Sequence, residues 1–277
     1  MKSNIPMKTF VTFIIPVRHQ DNSSDWGRLK SNLSQTINSI SAQTNPNWKA
    51  IIVANEGADL PLLPVGFEVV YVQFPPNPMH EQQGCDKEVF YDAVRLDKGS
   101  RILMGMLHVQ NTSFYMVVDD DDFISNKLVD FASKNETANG WVINHGYIWG
   151  DGGKLLCLHN DFNSFCGTSL IIRSNLYHLP GNFKSASADY IKTMLGSHVK
   201  IRKILSDNKT PLANLPFRGA VYRIGHAGSH SKSPKFINLY FFNKYLILRP
   251  HKLISNLLKL RFVHDEFKKE FFGSSFQ

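Results

Sequence analysis

A run of apolar residues ends abruptly in four consecutive aspartates at Phe114-Tyr-Met-Val-Val-Asp-Asp-Asp-Asp-Phe123. The β-branched and aromatic residues from Phe114 to Val118 predict a buried strand. Four carboxylates at the end of such a strand repel one another, which raises their pKa values unless a cation sits among them. Oxygen ligands of this kind suit a hard divalent ion, Mg²⁺ or Mn²⁺. The alternative is a solvated acidic turn that caps a following helix, because Asp is a good N-cap. A strand this apolar directly before the aspartates favours the cation site.

The segments before the aspartates alternate in type. Residues 9–17, closed by Pro16, predict a first buried strand. Residues 26–43 carry Leu29, Leu33, Ile37 and Ile40 on one helical face. Residues 48–55 and 67–73 predict two more strands. This order predicts an α/β fold with a mostly parallel sheet flanked by helices. Ligands of open α/β sheets bind beyond the carboxyl ends of the strands. Arg18, Glu56 and the Asp119 cluster each follow a strand, so they are expected along one rim. A long polar loop (74–88) leads to a helix over 92–109, with Gly99 obscuring its start. After the aspartates the expected elements are a helix over 125–134, a strand over 140–147, a turn at 150–153 and a hairpin partner at 155–158. A strand over 166–173, a short helix over 189–195 and late strands at 200–205 and 220–224 follow. Residues 225–234 have loop composition. Helical spacing at Leu253, Leu257, Leu258 and 260–262 predicts a basic, helical C-terminal tail.

Charge narrows the function classes. The net charge is +8. Residues 231–277 hold nine Lys/Arg against three Asp/Glu, so the tail carries +6 of it. A basic, aromatic tail can meet nucleic acid or an anionic membrane. No nucleic-acid motif accompanies it, so no nucleic-acid partner is expected. A nucleotidyltransferase would also use a metal and carboxylates, but it normally has a Gly-rich loop after its first strand, and residues 18–25 have no glycine cluster. Three cysteines without a CxxC pair predict reduced thiols rather than zinc or disulfides. The N-terminus lacks the apolar core of a signal peptide, and no run of 18 apolar residues occurs. A cytoplasmic protein, soluble or peripheral on the inner membrane face, is expected.

Three stretches together resemble a known family: Phe13-Ile-Ile-Pro-Val-Arg18, Ile52-Val-Ala-Asn-Glu56 and Val117-Val-Asp-Asp-Asp-Asp122. With weaker matches at Gly167-Thr-Ser and Ser187-Ala-Asp-Tyr190, the chain is similar to GT-A-type glycosyltransferases. The likeness is to family 2 enzymes that build bacterial surface polysaccharides such as O-antigen and capsule. It covers about residues 9–230, so the expected division is a Rossmann-like GT-A domain over 1–230 and an aromatic, basic extension over 231–277.

The resemblance implies an inverting, metal-dependent transfer of a hexose, galactose or glucose, from a UDP-sugar to a growing glycan. Mn²⁺ or Mg²⁺ would neutralise the departing diphosphate. Asp121 is the implied metal ligand, with His226 or His230 as a later one. Asp119 faces the ribose or supports the metal. Asp120 points away if the segment stays extended, and Asp122 caps the next helix. Pro16, Val17 and Arg18 line the base pocket, and Glu56 bonds the base or ribose. Asp97, Lys98 and Arg101 meet the uracil or diphosphate. Asp189 is the implied general base; as a first-turn acid it also suits the helix macrodipole. Trp141, Tyr147 and Trp149 offer aromatic faces to an acceptor sugar or belong to the core. Glu56 also reads as a turn residue before Gly57, residues 97–101 as a solvated helix face, and the two histidines as loop residues. A retaining enzyme would need no such base. The tail lies on an anionic membrane carrying a lipid-linked acceptor, or packs on the core or a partner subunit.

Overall fold

The computed structural model describes residues 8–79, 86–225, 254 and 256–273. The first half builds strands β1 (Val11–Pro16), β2 (Trp48–Asn55), β3 (Phe67–Val72) and β4 (Phe114–Val117) with helices α1 (Trp26–Ser41) and α2 (Lys87–His108). The four strands are parallel and lie side by side in the order β3-β2-β1-β4. Residues along β1 alternate between faces as a strand requires. Val11, Phe13 and Ile15 meet Leu29, Leu33, Ile37 and Ile40 of α1 on one side. Ile14 meets Ile102, Leu103 and Met106 of α2 on the other. Both helices begin at an aspartate cap. Asp25 accepts from the Arg28 amide at 2.8 Å, and Asp86 from the Glu88 amide at 2.8 Å.

The second half completes this sheet and adds another. Strands β5 (Phe123–Ile124), β6 (Gly140–Val142), β7 (Gly146–Gly150), β8 (Leu155–His159) and β9 (Leu170–Arg173) follow, with helix α3 (Leu128–Lys134). Next come α4 (Ala188–Tyr190), which continues as a π turn over Ile191–Leu195, then α5 (His198–Asp207), β10 (Ala213–Asn214), β11 (Ala220–Ile224) and β12 (Leu260–Phe262). The larger sheet has seven strands, β10-β6-β9-β4-β1-β2-β3, and the smaller has five, β12-β8-β7-β11-β5. The α/β architecture, a mostly parallel sheet flanked by helices, is as expected from the alternation of segments.

Several local expectations are corrected. Residues 140–147 are not one strand: β6 lies in the larger sheet and β7 in the smaller. The chain changes sheets at Ile143, whose amide bonds Ser169 at 2.8 Å. Strand β9 is shorter than 166–173, because Cys166–Ser169 folds into a tight turn closed by Ser169 N–H to Gly167 O at 2.9 Å. Residues 200–205 lie in a helix, not a strand. Ser197 caps α5, and Ile201 and Leu205, four apart, are its buried face. Helix α2 starts at Lys87, since Asp86 supplies a cap that apolar periodicity does not reveal. Gly99 is no helix start: a Cβ there would stand 2.5 Å from the Ile191 carbonyl, so glycine permits close packing of α2 on the π turn.

The tail is corrected too. Leu260–Phe262 is strand, paired antiparallel with β8, rather than helix. A helical turn over Asp265–Phe267 runs into a π turn over Lys268–Phe272. Phe267, Phe271 and Phe272 are buried against Phe123, Trp149 and Val221. Glu270 accepts from the Ser125 hydroxyl and the Lys127 ammonium, both at 2.7 Å. This part of the extension therefore packs on the core, directly behind the strand that follows the aspartates. Phe272→Ala should lower the unfolding free energy in denaturant titration by about 3–5 kcal/mol. Phe262→Ala, at a side chain 74% exposed, should stay within about 0.5 kcal/mol of the parent protein. Equal effects would show that the C-terminal turn contributes nothing to the core.

Candidate active site

Strand order reverses between β1 and β4, which makes their carboxyl ends the switch point where open α/β sheets take ligands. Asp119–Asp122 hangs at that point. The Asp122 amide bonds the Asp119 carbonyl at 3.2 Å, so the four aspartates form a turn, not an extended continuation of β4. The turn distributes its side chains unequally. Asp120 and Asp122 are buried, and Asp119 and Asp121 are partly exposed. Because β9 is antiparallel to β4, its entry turn reaches the same rim. The Asp119 amide donates to Thr168 Oγ1 at 2.9 Å. A Cβ on Gly167 would stand 2.9 Å from Asp119 Oδ2 and 3.0 Å from Lys98 Nζ, so only glycine fits without displacing that pair.

Basic groups flank the acidic turn on two sides. Lys98, from α2, ion-pairs with Asp119 Oδ1. Burial disfavours the Lys98 ammonium, but Asp119, with help from Asp122, more than offsets this and holds its pKa above the usual lysine value. Arg223 of β11 lies on the other side, 3% exposed, with its guanidinium 5.4 Å from the Trp149 ring centre and 5.7 Å from that of Phe123. Burial lowers its pKa to about 10; Asp121 and Asp122 act against the shift and Arg28 adds to it. Asp151, in the turn after β7, ion-pairs with both Arg223 and Arg28. Arg223 Nε donates to Asp151 Oδ1 at 3.0 Å.

Asp122 does not cap the next helix. Its carboxyl is fully buried. It accepts from the Cys166 thiol at 3.2 Å and from the Arg223 amide at 3.3 Å. Burial, then the charges of Asp121 and Asp119, push its pKa well above the carboxylate range. The same burial, with Asp122 alongside, pushes the Cys166 thiol up. Cys166 is a packing thiol, not a nucleophile.

A small cavity of ≈ 30 Å³ opens beside the Lys98–Asp119 pair. Lys98, Gly167 and His198 meet there over an apolar lining that includes Val117, Leu170, Met194 and Ile201. His198 Nε2 is sealed from solvent and has no hydrogen-bond partner among the described residues. Burial lowers the His198 pKa to about 4, assisted by the Lys98 charge and opposed by Asp119 and the Asn163 carbonyl.

The remaining sequence-derived candidates fall as follows. Pro16, Val17 and Arg18 close β1 at the rim; the Val17 amide bonds the Val53 carbonyl at 2.9 Å. Glu56 is exposed at the end of β2 and accepts from Gln73 Nε2 at 2.8 Å. Arg101 is buried and donates to Asn55 Oδ1 at 2.7 Å and to Asp97 Oδ1 at 3.1 Å, which ties α2 to the end of β2. Asp189 is exposed in the first turn of α4. His226 and His230 lie outside the described residues. Among the described residues no three His, Cys, Asp or Glu side chains converge as a ready-made metal cage. Asp119 and Asp121 still offer hard oxygen donors, the type Mg²⁺ and Mn²⁺ take. Trp141 and Trp149 are buried core residues, on Phe114 and Phe272 respectively, and Tyr147 packs edge-on against Phe267. They offer no open face for a sugar.

Arg223, Asp151, Arg28 and His198 carried no sequence signal as site residues, while Thr168 lies in the weaker Gly167-Thr-Ser match. Arg223 follows β-strand periodicity, and His198 sits in a stretch that reads equally as strand.

No family model matches the chain, and no curated protein does. Among solved structures, S. aureus TarS 1–349 aligns at 12% identity and a TM-score of 0.43, over 77% of this chain and 60% of that one. The chain thus spans about 60% of the length of that protein. TarS 1–349 in complex with UDP-GlcNAc aligns at 14% identity and a TM-score of 0.45, over 90% and 71%. Rv0371C of Mycobacterium tuberculosis H37Rv, in complex with manganese, aligns at 10% identity and a TM-score of 0.36, over 77% and 91%. Likenesses at this level assign no activity.

The His198 shift makes a pH prediction. A folded pKa near 4 against an ordinary 6.5 means that folding favours the neutral ring. The resulting stability is complete above pH 6.5 and is lost as pH falls through 4. Between pH 7 and pH 4 the unfolding free energy should fall more steeply for the parent protein than for His198→Gln, by about 2–3 kcal/mol. Parallel pH profiles would mean that His198 titrates normally.

Proposed function

We propose that the chain is a glycosyltransferase that moves a hexose, glucose or galactose, from a UDP-sugar to a growing cell-surface glycan with inversion. One observation carries this reading: an acidic turn at the switch point of a parallel sheet, with Lys98 and Arg223 held on its two sides. A nucleoside diphosphate needs both signs of charge at such a place, cations for its phosphates and carboxylates for its ribose hydroxyls and metal. Pro16, Val17, Arg18 and Glu56 line the nucleotide end of the rim. Asp119 holds the ribose side, and Lys98 the diphosphate. Arg101 and Asp97 fix the rim that carries Glu56. Asp121, with His226 or His230 and the diphosphate oxygens, would hold Mn²⁺ or Mg²⁺, which when bound neutralises charge on the leaving diphosphate.

The transfer is a displacement at the anomeric carbon. The acceptor oxygen forms a bond to that carbon as the bond to the diphosphate oxygen breaks. The proton of the acceptor hydroxyl passes to Asp189, and the electron pair leaves with UDP. The acceptor is lipid-linked, and the tail meets an anionic membrane surface from the cytoplasmic side. Ile254, Leu257 and Leu258 are 58%, 51% and 71% exposed, and Lys259 and Arg261 adjoin them.

Three experiments test this. Calorimetry should show UDP binding that requires Mn²⁺ or Mg²⁺ and drops at least tenfold in Asp121→Ala, about 1.4 kcal/mol. Asp189→Asn should keep that binding and lose transfer to the glycan. Metal-independent binding would remove the metal assignment, and undiminished turnover would remove Asp189 as base. In co-sedimentation with phosphatidylserine vesicles, Leu257→Ser/Leu258→Ser should shift the protein to the supernatant. Unchanged pelleting of the double variant would refute the membrane contact.

A further inference from the structure

Asp189 is exposed, so burial of its own side chain does not set where its carboxylate stands. The backbone that carries it does, and that backbone is tied down on both sides. Before it comes the short helical turn Phe183–Ser185. Asn182 Oδ1 accepts from the Ser185 amide at 3.1 Å, and the Ser185 hydroxyl donates to the Asn182 carbonyl at 2.8 Å. Ser187 then caps α4, accepting from the Tyr190 amide at 3.1 Å. After it, the Tyr190 hydroxyl donates to the Tyr177 carbonyl at 2.9 Å. Residues 182–190 are therefore joined into one piece, and whatever docks that piece also places Asp189.

Phe183 docks it at the nucleotide end of the rim. Its ring lies against the Phe74 ring, with 5.4 Å between centres and 32° between planes. Phe74 stands just past β3 and is itself fixed. Its carbonyl accepts from Asn55 Nδ2 at 2.6 Å, and Asn55 Oδ1 accepts from Arg101 at 2.7 Å. The Arg101 guanidinium lies 5.7 Å from the Phe74 ring centre. Arg101 is buried and belongs to α2, the helix that also supplies Lys98 to the acidic turn. Pro75 and Pro76 follow Phe74 and restrict the chain that leaves it. Aromatic pairs favour particular ring geometries, so this contact constrains angle as well as distance.

We propose that Phe183 is a positioning residue for the transfer: stacked on Phe74, it holds Asp189 at the place where its carboxylate meets the attacking hydroxyl. This rests on the glycosyltransferase reading and on Asp189 as its base. Phe183 acts through Asp189 and not on the nucleotide. A displacement of about 1 Å that originates far from the chemistry can lower a rate about a hundredfold. A residue that only filled the core would be replaced by any apolar side chain of similar size. A stacked pair needs the ring.

The test measures UDP release from UDP-glucose and UDP-galactose in saturating Mn²⁺, with water as acceptor, and UDP binding by calorimetry. Phe183→Leu keeps apolar bulk without the ring, and Phe183→Tyr keeps the ring. Phe183→Leu should lower kcat about tenfold or more, with donor KM and UDP affinity unchanged. Phe183→Tyr should retain the parent rate. Thermal melts establish that both variants are folded. Phe74→Leu should lower kcat alike, and Phe74→Leu/Phe183→Leu no further, because both changes remove the same contact. Formate, a carboxylate free in solution, should restore part of the rate in both Asp189→Asn and Phe183→Leu.

A parent rate in folded Phe183→Leu overturns the positioning role and leaves the glycosyltransferase reading intact. So does a loss of UDP affinity that matches the loss of kcat, or a formate rescue confined to Asp189→Asn. A parent protein that binds UDP but releases none from either donor overturns Asp189 as base, and the role of Phe183 with it. Absence of UDP binding sinks the reading beneath both.

Discussion

The burial of Asp122 is the constraint on which the arrangement of this molecule turns. A carboxyl with no solvent exposure must be neutral or well partnered, and here it is held by a thiol, by the Arg223 amide and by the Thr168 side chain. Those partners come from the turn before β9 and from β11, one in each sheet. The carboxyl is thus a joint between the two sheets, and the turn that contains it has one available shape. That shape keeps Asp119 and Asp121 at the solvent side. Removing one of these partners would leave a polar group orphaned in the interior, which is costlier than losing one hydrogen bond.

Electrostatics then divides the rim. Lys98 from α2 and Arg223 from β11 bracket the acidic turn. Arg28 and Asp151 extend the bracket to the start of α1. Isolated surface ion pairs contribute little; in this chain of charges Arg223 and Asp151 are shielded, at 3% and 12% exposed, while Arg28 is 42% exposed. Its value lies in orientation: it fixes where a phosphate or a hydroxyl would find its partners, and it does so from three elements far apart in sequence.

Much of the fold was legible in the sequence, because its signals were local. The faces of α1 and the strands β1, β2 and β3 follow from periodicity and flanking turns. The rim followed too, since Arg18, Glu56 and the aspartates each end a strand. What escaped was non-local. Residues 140–147 look like one strand, and only the pull of two sheets explains the break at Ile143. Residues 200–205 are apolar at spacings that suit strand or helix, and the Ser197 cap decided between them. Gly99 looked like a helix breaker and proved to be a contact with a π turn. Arg223 and His198 gained their meaning from neighbours distant in sequence, Asp122 and Asp151 for the first and Lys98 and Asn163 for the second, a relation no single sequence displays.

The packing of Phe267, Phe271 and Phe272 behind β5 has a consequence for how the chain matures. Strand β4 and the aspartates are made early, but the aromatic wedge that backs them belongs to residues synthesised about 150 positions later. Until that segment emerges, Phe123 and Trp149 face water and the neighbouring turn lacks its rear support. Contacts of such long sequence separation form late in folding. A nascent chain would therefore carry its acidic turn in an unfinished state, unable to hold its charges in place before the rest of the fold can confine what they bind.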